Sequence, residues 1–251
     1  MAYALITGAS SGIGKDISLL LSQKGYDLIL VSRNIEKMQS LKNELNSEIK
    51  IISCDLSNIN NFDKLISEIK GYDIKILVNN AGYGIHGLFN ELDIKKELNM
   101  VNLNSLFPQM LLKHFVNDFF EKEDCYILNV CSSASFFSGP LMASYYASKN
   151  YLYSLSLAIY QELKMVNSKT NISVLCPGPV DTNFWNVANV NFQSKPISSE
   201  KVAKIAVNKM FKKKLIIIPE KKMRLAKFFS RFLSEKMLLK IVYNLQNKKK
   251  V

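Results

Sequence analysis

The 251 residues include only two histidines, four cysteines and one tryptophan. His86 and His114 stand alone, and Cys54, Cys125, Cys131 and Cys176 lack the paired spacing of a metal site. No metal is therefore expected. The cysteines lie in or beside apolar, strand-like runs and read as buried thiols of a reducing compartment. No apolar run is long enough to span a bilayer. Residues 1–14 show no basic stretch followed by an apolar core, so no signal peptide is read and a cytoplasmic location is expected. No Pro-, Gly- or Ser-rich linker and no fixed-period repeat divides the chain.

Charge is distributed unevenly. Residues 209–251 hold 14 Lys and Arg against Glu220 and Glu235, while residues 1–208 hold 19 charges of each sign. A neutral body thus carries a basic tail. Two units are expected, a body over 1–218 and an extension over 219–251.

Short, continuous apolar runs at 3–7, 28–32, 49–53, 74–79, 125–130, 172–176 and 215–218 read as buried strands. Between them, stretches such as 13–24, 35–45, 62–70 and 145–164 have helical spacing. Continuous apolar strands suit a parallel sheet covered on both faces. The alternation predicts an α/β fold, a doubly wound parallel sheet of about seven strands with right-handed crossovers.

The first strand runs into Thr7-Gly8-Ala9-Ser10-Ser11-Gly12-Ile13-Gly14 and then a helix. Glycines there permit a tight turn and close approach of backbone to a pyrophosphate, which the helix N-terminus favours. The second strand ends Ser32-Arg33-Asn34, with no carboxylate to accept from a ribose 2′-hydroxyl. A guanidinium at that place suits a 2′-phosphate, so NADP is the expected cofactor.

These and later motifs resemble the short-chain dehydrogenase/reductase family, in its single-domain branch, over residues 1 to about 218. Thr7 to Gly14 is similar to its TGxxxGxG loop, Asp55-Leu56 to the pair that meets the adenine, and Asn79-Asn80-Ala81-Gly82 to its NNAG motif. Asn102 matches the helix asparagine, Ser132 precedes Tyr145 by thirteen residues, and Tyr145 to Lys149 carries YxxxK. Pro177-Gly178 with Val180 and Thr182 resembles the segment on the nicotinamide side. The resemblance implies a Rossmann-type fold and cofactor contacts from Gly8, Ser10, Ser11, Gly12, Ile13, Gly14, Arg33, Asn34, Asp55, Leu56, Asn80, Ala81, Gly82, Tyr145, Lys149, Pro177, Gly178, Val180 and Thr182. It also implies a dimer or tetramer. Two departures stand out: Ser135 where many members have Gly, and Ser11 where some NADP enzymes carry a second basic residue.

A free tyrosine titrates near 10, too high for ready proton exchange at neutral pH, and a nearby cation lowers it. Tyr145 and Lys149, four apart on a helix, share one face. Tyr145 is therefore the expected proton donor or acceptor for a carbonyl or alcohol. Ser132 would steady the developing charge. The family adds that Lys149 holds the ribose and that Asn102 holds a water linking Lys149 to solvent.

Loops beyond the strand ends hold Tyr83, His86, Phe136, Phe137, Leu141, Met142, Phe184, Trp185 and Phe192. Few charges accompany them, so the expected small-molecule partner is a large or medium apolar carbonyl compound, or the matching alcohol, rather than a sugar phosphate or a keto acid. A hydroxysteroid-type dehydrogenase and a membrane-tethered dinucleotide-binding regulator are the alternatives. In the tail, Leu225, Phe228, Phe229, Phe232 and Leu233 share one helical face, and Arg224, Lys227 and Arg231 lie opposite. Two readings stand: the apolar face lies on the inner face of a membrane, or it packs on the body or another subunit. No recognition motif accompanies the charge, so nucleic acid is not an expected partner.

Overall fold

The computed structural model describes residues 2–184, 188 and 196–248. Seven parallel strands form the central sheet: β1 (Tyr3–Thr7), β2 (Asp27–Ser32), β3 (Ile49–Ser53), β4 (Ile74–Asn79), β5 (Tyr126–Val130), β6 (Asn171–Leu175) and β9 (Ile216–Ile217). Their order is β3-β2-β1-β4-β5-β6-β9, with every pairing parallel. The chain winds outward from β1 in one direction and from β4 in the other. The crevice between the two halves lies at the carboxyl ends of β1 and β4, where ligands of such sheets bind.

Helices cover both faces, as the continuous apolar strands demand. One core layer packs Ile6, Leu30 and Val78 against Ile17 and Leu21 of α1 (Gly12–Ser22) and Val202 and Ala206 of α7 (Ser199–Phe211). The other packs Leu5, Leu77 and Ile127 against α3 (Phe62–Ile69) and α5 (Phe107–Phe119), whose Phe107, Phe115 and Phe119 are fully buried. Helix α2 (Ile35–Lys42) follows β2, and its first turn is capped by Asn34 Oδ1, which accepts from Lys37 N at 2.8 Å. All four cysteines are buried and unpaired.

A buried polar chain fixes the long helix α6 (Ala143–Met165) on the sheet. Asn79 and Asn129 are partners in the β4–β5 register. Asn79 Nδ2 donates to Asn129 Oδ1 at 2.9 Å, and Asn129 Nδ2 donates to Ser156 Oγ of α6 at 2.8 Å. These two bonds hold the helix in position on the sheet, although the buried Asn79 Oδ1 accepts none. That position sets where Tyr145 and Lys149 stand.

Three features depart from the sequence expectations. The last strand is two residues rather than four. Val180–Asp181 (β7) and Ile197–Ser198 (β8) form a small separate parallel pair. Between α4 (Ile94–Val101) and α5, residues Asn102–Leu106 form a π-helical turn.

The tail forms α8 (Lys221–Phe229), a 3₁₀ turn (Ser230–Phe232) and α9 (Glu235–Asn247). It folds back on the body. Gly178 N donates to Glu220 Oε1 at 3.0 Å, Lys227 Nζ donates to Tyr153 Oη at 2.7 Å, and Gln246 Nε2 donates to Tyr146 Oη. Lys227 also lies 4.2 Å from the Phe136 ring centroid, a cation–π contact. Lys227 turns inward, while Leu225, Phe228, Phe229 and Phe232 are exposed.

Candidate active site

The turn after β1 is built for close approach. Gly8 has φ +67° and Gly12 φ +54°, left-handed conformations that favour glycine. A Cβ on Gly14 would collide with Gly8 O and Asn80 Nδ2, so α1 begins against the turn with no room for a side chain. Asn80 Nδ2 donates to Thr7 O at 2.9 Å and Gly8 O at 3.2 Å. Thr7 Oγ1 accepts from Asn80 N at 2.9 Å and Ala81 N at 3.1 Å. The ends of β1 and β4 are thereby tied together.

Ser11 caps α1 with no side-chain bond, and the first turn carries no acidic residue. The N–H groups of that turn are open to an anion, as a dinucleotide pyrophosphate requires. The residues present thus fit the cofactor that the loop implies. Replacing Gly14 by Ala should overpack this junction at a cost of about 1–3 kcal/mol. The melting temperature should fall by several degrees. NADPH and NADH affinities should weaken together, which calorimetric titration of both dinucleotides checks.

From this turn a cavity of about 1250 Å³ runs along the carboxyl ends of the strands to the tail helices. Gly8, Ser10, Ser11, Gly12 and Ile13 line one end, with Arg33, Asp55 and Leu56 beside them. Burial works to raise the pKa of Asp55. Hydrogen bonds from Ser57 Oγ (2.7 Å) and Ser57 N (3.0 Å), with the Arg33 guanidinium nearby, outweigh it and hold the carboxyl below the usual range. Asn80, Ala81, Gly82, Pro177, Gly178, Val180 and Thr182 also line the cavity. Gly14 and Asn34 do not. Gly14 acts through packing, and Asn34 is committed to the α2 cap.

Ser132, Tyr145 and Lys149 line the middle of the cavity. Tyr145 and Lys149 are buried, consistent with their shared helical face. Burial pushes the Tyr145 phenol well above its ordinary value, and a hydrogen bond with Ser132 only partly offsets this. Burial pulls the Lys149 ammonium down. Lys149 Nζ donates to Val130 O at 3.1 Å. In the protein alone, desolvation is the largest influence on both groups.

Ser132 Oγ accepts from Ala134 N at 3.1 Å and caps a short 3₁₀ turn. Ser135 accounts for its own departure from the family pattern. Its Oγ accepts from Ser132 N at 3.4 Å and donates to Lys149 O at 3.0 Å, tying the serine loop to α6. A glycine there would make neither bond.

The structure does not bring the side chain of Asn102 to Lys149. Asn102 Nδ2 donates to Ser57 O at 3.1 Å, and the residue does not line the cavity. Asn104 stands there instead, fully buried. Its Nδ2 donates to Tyr83 O at 2.9 Å and Ser148 Oγ at 3.1 Å. Its Oδ1 and Lys149 Nζ lie 2.7 and 3.1 Å from the point where a Cβ on Gly82 would sit. The π turn widens the helix between the two asparagines, so regular helical spacing does not tell which faces α6.

Of the expected pocket residues, Tyr83, Phe137, Met142 and Phe184 line the cavity, whereas His86, Phe136 and Leu141 do not. Trp185 and Phe192 lie outside the described residues. Tail residues Glu220, Met223, Phe229, Leu238, Val242 and Gln246 form part of the wall. Sequence reasoning missed these because no local pattern links them to Gly178 or Tyr146. Among the described residues no cluster of His, Cys, Asp or Glu could hold a metal ion.

The family model for short chain dehydrogenases matches residues 2–191. The chain belongs to the short-chain dehydrogenase family. Human 17-beta-hydroxysteroid dehydrogenase type 3 is 32% identical over 203 residues, covering 77% of this chain and 64% of the relative. A very-long-chain 3-oxoacyl-CoA reductase of Pyrenophora tritici-repentis is 34% identical over 175 residues, covering 64% of this chain and 50% of the relative. The chain thus spans between half and two thirds of the length of these two curated relatives. A short-chain dehydrogenase from Sphingobium yanoikuyae in complex with NADPH shares the fold at TM-score 0.83 and 23% identity, over 92% of this chain and 94% of that one. A Burkholderia phymatum family member in complex with NAD does so at TM-score 0.81 and 20% identity, over 92% and 93%.

Proposed function

We propose that this short-chain dehydrogenase is an NADP(H)-dependent oxidoreductase that reduces an apolar ketone or aldehyde, or oxidises the matching alcohol, with Tyr145 exchanging the proton. The observation that carries this reading is a single cavity joining the glycine-rich turn and Arg33 at one end to Ser132, Tyr145 and Lys149. Its volume of about 1250 Å³ exceeds the ~300–1,000 Å³ usual for one small ligand, which leaves room for a dinucleotide and a substrate.

A bound nicotinamide dinucleotide would supply or accept the hydride and, when oxidised, place a positive charge near the phenol. The chain's own residues would do the rest. Tyr145 Oη would give its proton to the carbonyl oxygen, and Ser132 Oγ would hydrogen-bond that oxygen as charge develops. Lys149, steadied by Val130 O, would hold the ribose hydroxyls. Asn102 is kept as the proposed holder of the relay water, and Asn104 would join it from its place beside Lys149. Reduction is the proposed direction because cells usually keep the NADP pool reduced, and a phenol raised by burial suits the donor role in it.

Arg33 is the proposed NADP determinant. It is exposed, lines the cavity, and stands where an acid would instead favour NAD. Arg33→Ala should forfeit a charge-assisted bond of about 1.5–3 kcal/mol. NADPH affinity should then fall roughly ten- to hundredfold while NADH affinity holds. Equal weakening of both dinucleotides would remove Arg33 from this role.

The substrate class rests on the apolar wall that Met142, Phe184, Leu238 and Val242 give the cavity. The names of the relatives make a hydroxysteroid and a long 3-oxoacyl thioester the alternatives to test. We read residues 1–218 as the cofactor-binding and catalytic body and 219–251 as the segment that closes the substrate pocket. Homo-oligomers and peripheral membrane contact complete the proposal.

A further inference from the structure

Helix α8 is amphipathic with its apolar side outward. Phe228 is 53%, Phe229 58% and Phe232 73% exposed. The three rings pack on one another, with Phe228 centroids 5.4 Å from Phe229 and 5.6 Å from Phe232. Leu225 extends the patch, and on α9 Met237, Ile241 and Leu245 are also exposed. The charged side of α8 instead holds the helix to the body. Arg224 Nε donates to Ile218 O at 2.8 Å, and Lys227 is taken up by Tyr153 and Phe136. Such an arrangement leaves costly apolar surface in water unless something covers it.

Charge identifies the cover. Lys221, Lys222, Arg231, Lys236 and Lys240 are exposed on the same helices, and residues 221–247 carry seven Lys and Arg against Glu235, a net charge of +6. A second copy would bring the same cations against these and be repelled. An acidic surface with an apolar interior matches both the rings and the rim. We propose that α8, the 3₁₀ turn and α9 form a docking surface for an anionic phospholipid bilayer, with the Phe228–Phe229–Phe232 cluster entering the acyl boundary and the lysines meeting headgroups.

The same segment walls the catalytic cavity. Phe229 belongs both to the cluster and to the cavity lining, and Met223, Leu238, Ile241, Val242 and Leu245 join it there. A substrate dissolved in the bilayer would meet the cavity across a single layer of side chains. This entry route rests on the apolar-substrate reading above; docking itself does not.

The test is flotation of the full-length protein with vesicles of phosphatidylcholine alone or mixed with phosphatidylserine. Co-flotation is expected only with the mixed vesicles, and it should fade as salt screens the lysines. The double variant Phe228→Glu, Phe232→Glu changes two exposed rings that do not line the cavity. It should lower vesicle partitioning by more than about tenfold, the least that burying one such ring is worth. Its dinucleotide affinity should be unchanged. Failure of the wild-type protein to float with mixed vesicles would overturn docking, as would salt-independent binding equal on both vesicle types. A dimer that dissociates in the double variant, without flotation of the wild type, would assign the patch to a second copy. Flotation reads no turnover, so loss of docking with NADPH turnover intact leaves the enzymatic reading standing.

Discussion

Replacing Tyr145 by Phe should lower turnover by roughly 10²–10⁴-fold while NADPH binds as before. The change removes only Oη. The ring stays packed, its centroid 5.4 Å from Phe184 and 6.0 Å from Tyr146, so the pocket keeps its shape. What is lost is a positioned proton donor, and general acid–base catalysis contributes about that factor. In free-energy terms it is about 3–5 kcal/mol of transition-state stabilisation. The predicted signature is a fall in kcat with dinucleotide Kd unmoved, read by steady-state kinetics and calorimetric titration. Retention of most activity would transfer the proton role to another group. Tyr146 is the nearest candidate, and burial pushes its phenol up to about 12 while Gln246 already occupies it.

Phe115→Ala should be the most damaging change away from the site. Phe115 is 1% exposed in the layer between α5 and the sheet. Its ring lies 5.1 Å from Phe119 and 5.1 Å from His114, centroid to centroid. Truncation removes the ring's burial and leaves a cavity that stiff neighbours cannot fill, at a cost of about 3–5 kcal/mol. For a chain of this size the melting temperature should drop by roughly 6–20 °C. Thermal unfolding followed by circular dichroism checks it. A drop of a degree or two would mean that the layer collapses onto the gap. Dinucleotide affinity measured well below the new melting temperature should be unaffected, because Phe115 itself does not line the cavity.

Much of the fold and site was legible because the signals are local. Continuous apolar strands with helical stretches between them predict a parallel sheet covered on both faces, and seven parallel strands form one. The Gly8–Gly14 turn follows the first strand, and the four-residue spacing of Tyr145 and Lys149 needs only a helix to bring both into one wall. Features that depend on distant pairing were not legible. Glu220 meets Gly178 across 42 residues and Gln246 meets Tyr146 across 100. No periodicity encodes such contacts.

The two asparagines show a finer limit. Regular helical geometry fixes which side chains share a face, but the π turn at Asn102–Leu106 breaks it. The choice between Asn102 and Asn104 therefore depends on a backbone irregularity that neither residue announces. The tail shows another. Its amphipathic pattern was readable, yet the side that turns inward was decided by Lys227 finding Tyr153 and Phe136. A hydrogen bond and a ring face stabilise the ammonium there, and the phenylalanines are left outside.

The most direct test of the central claim is oxidation of NADPH and of NADH by the purified protein with a panel of apolar ketones, aldehydes and ketosteroids beside small charged ketones. The account predicts turnover with NADPH in preference to NADH, on apolar substrates in preference to charged ones, and dependence on Tyr145. Binding of neither dinucleotide, or equal turnover of charged ketones, would contradict it.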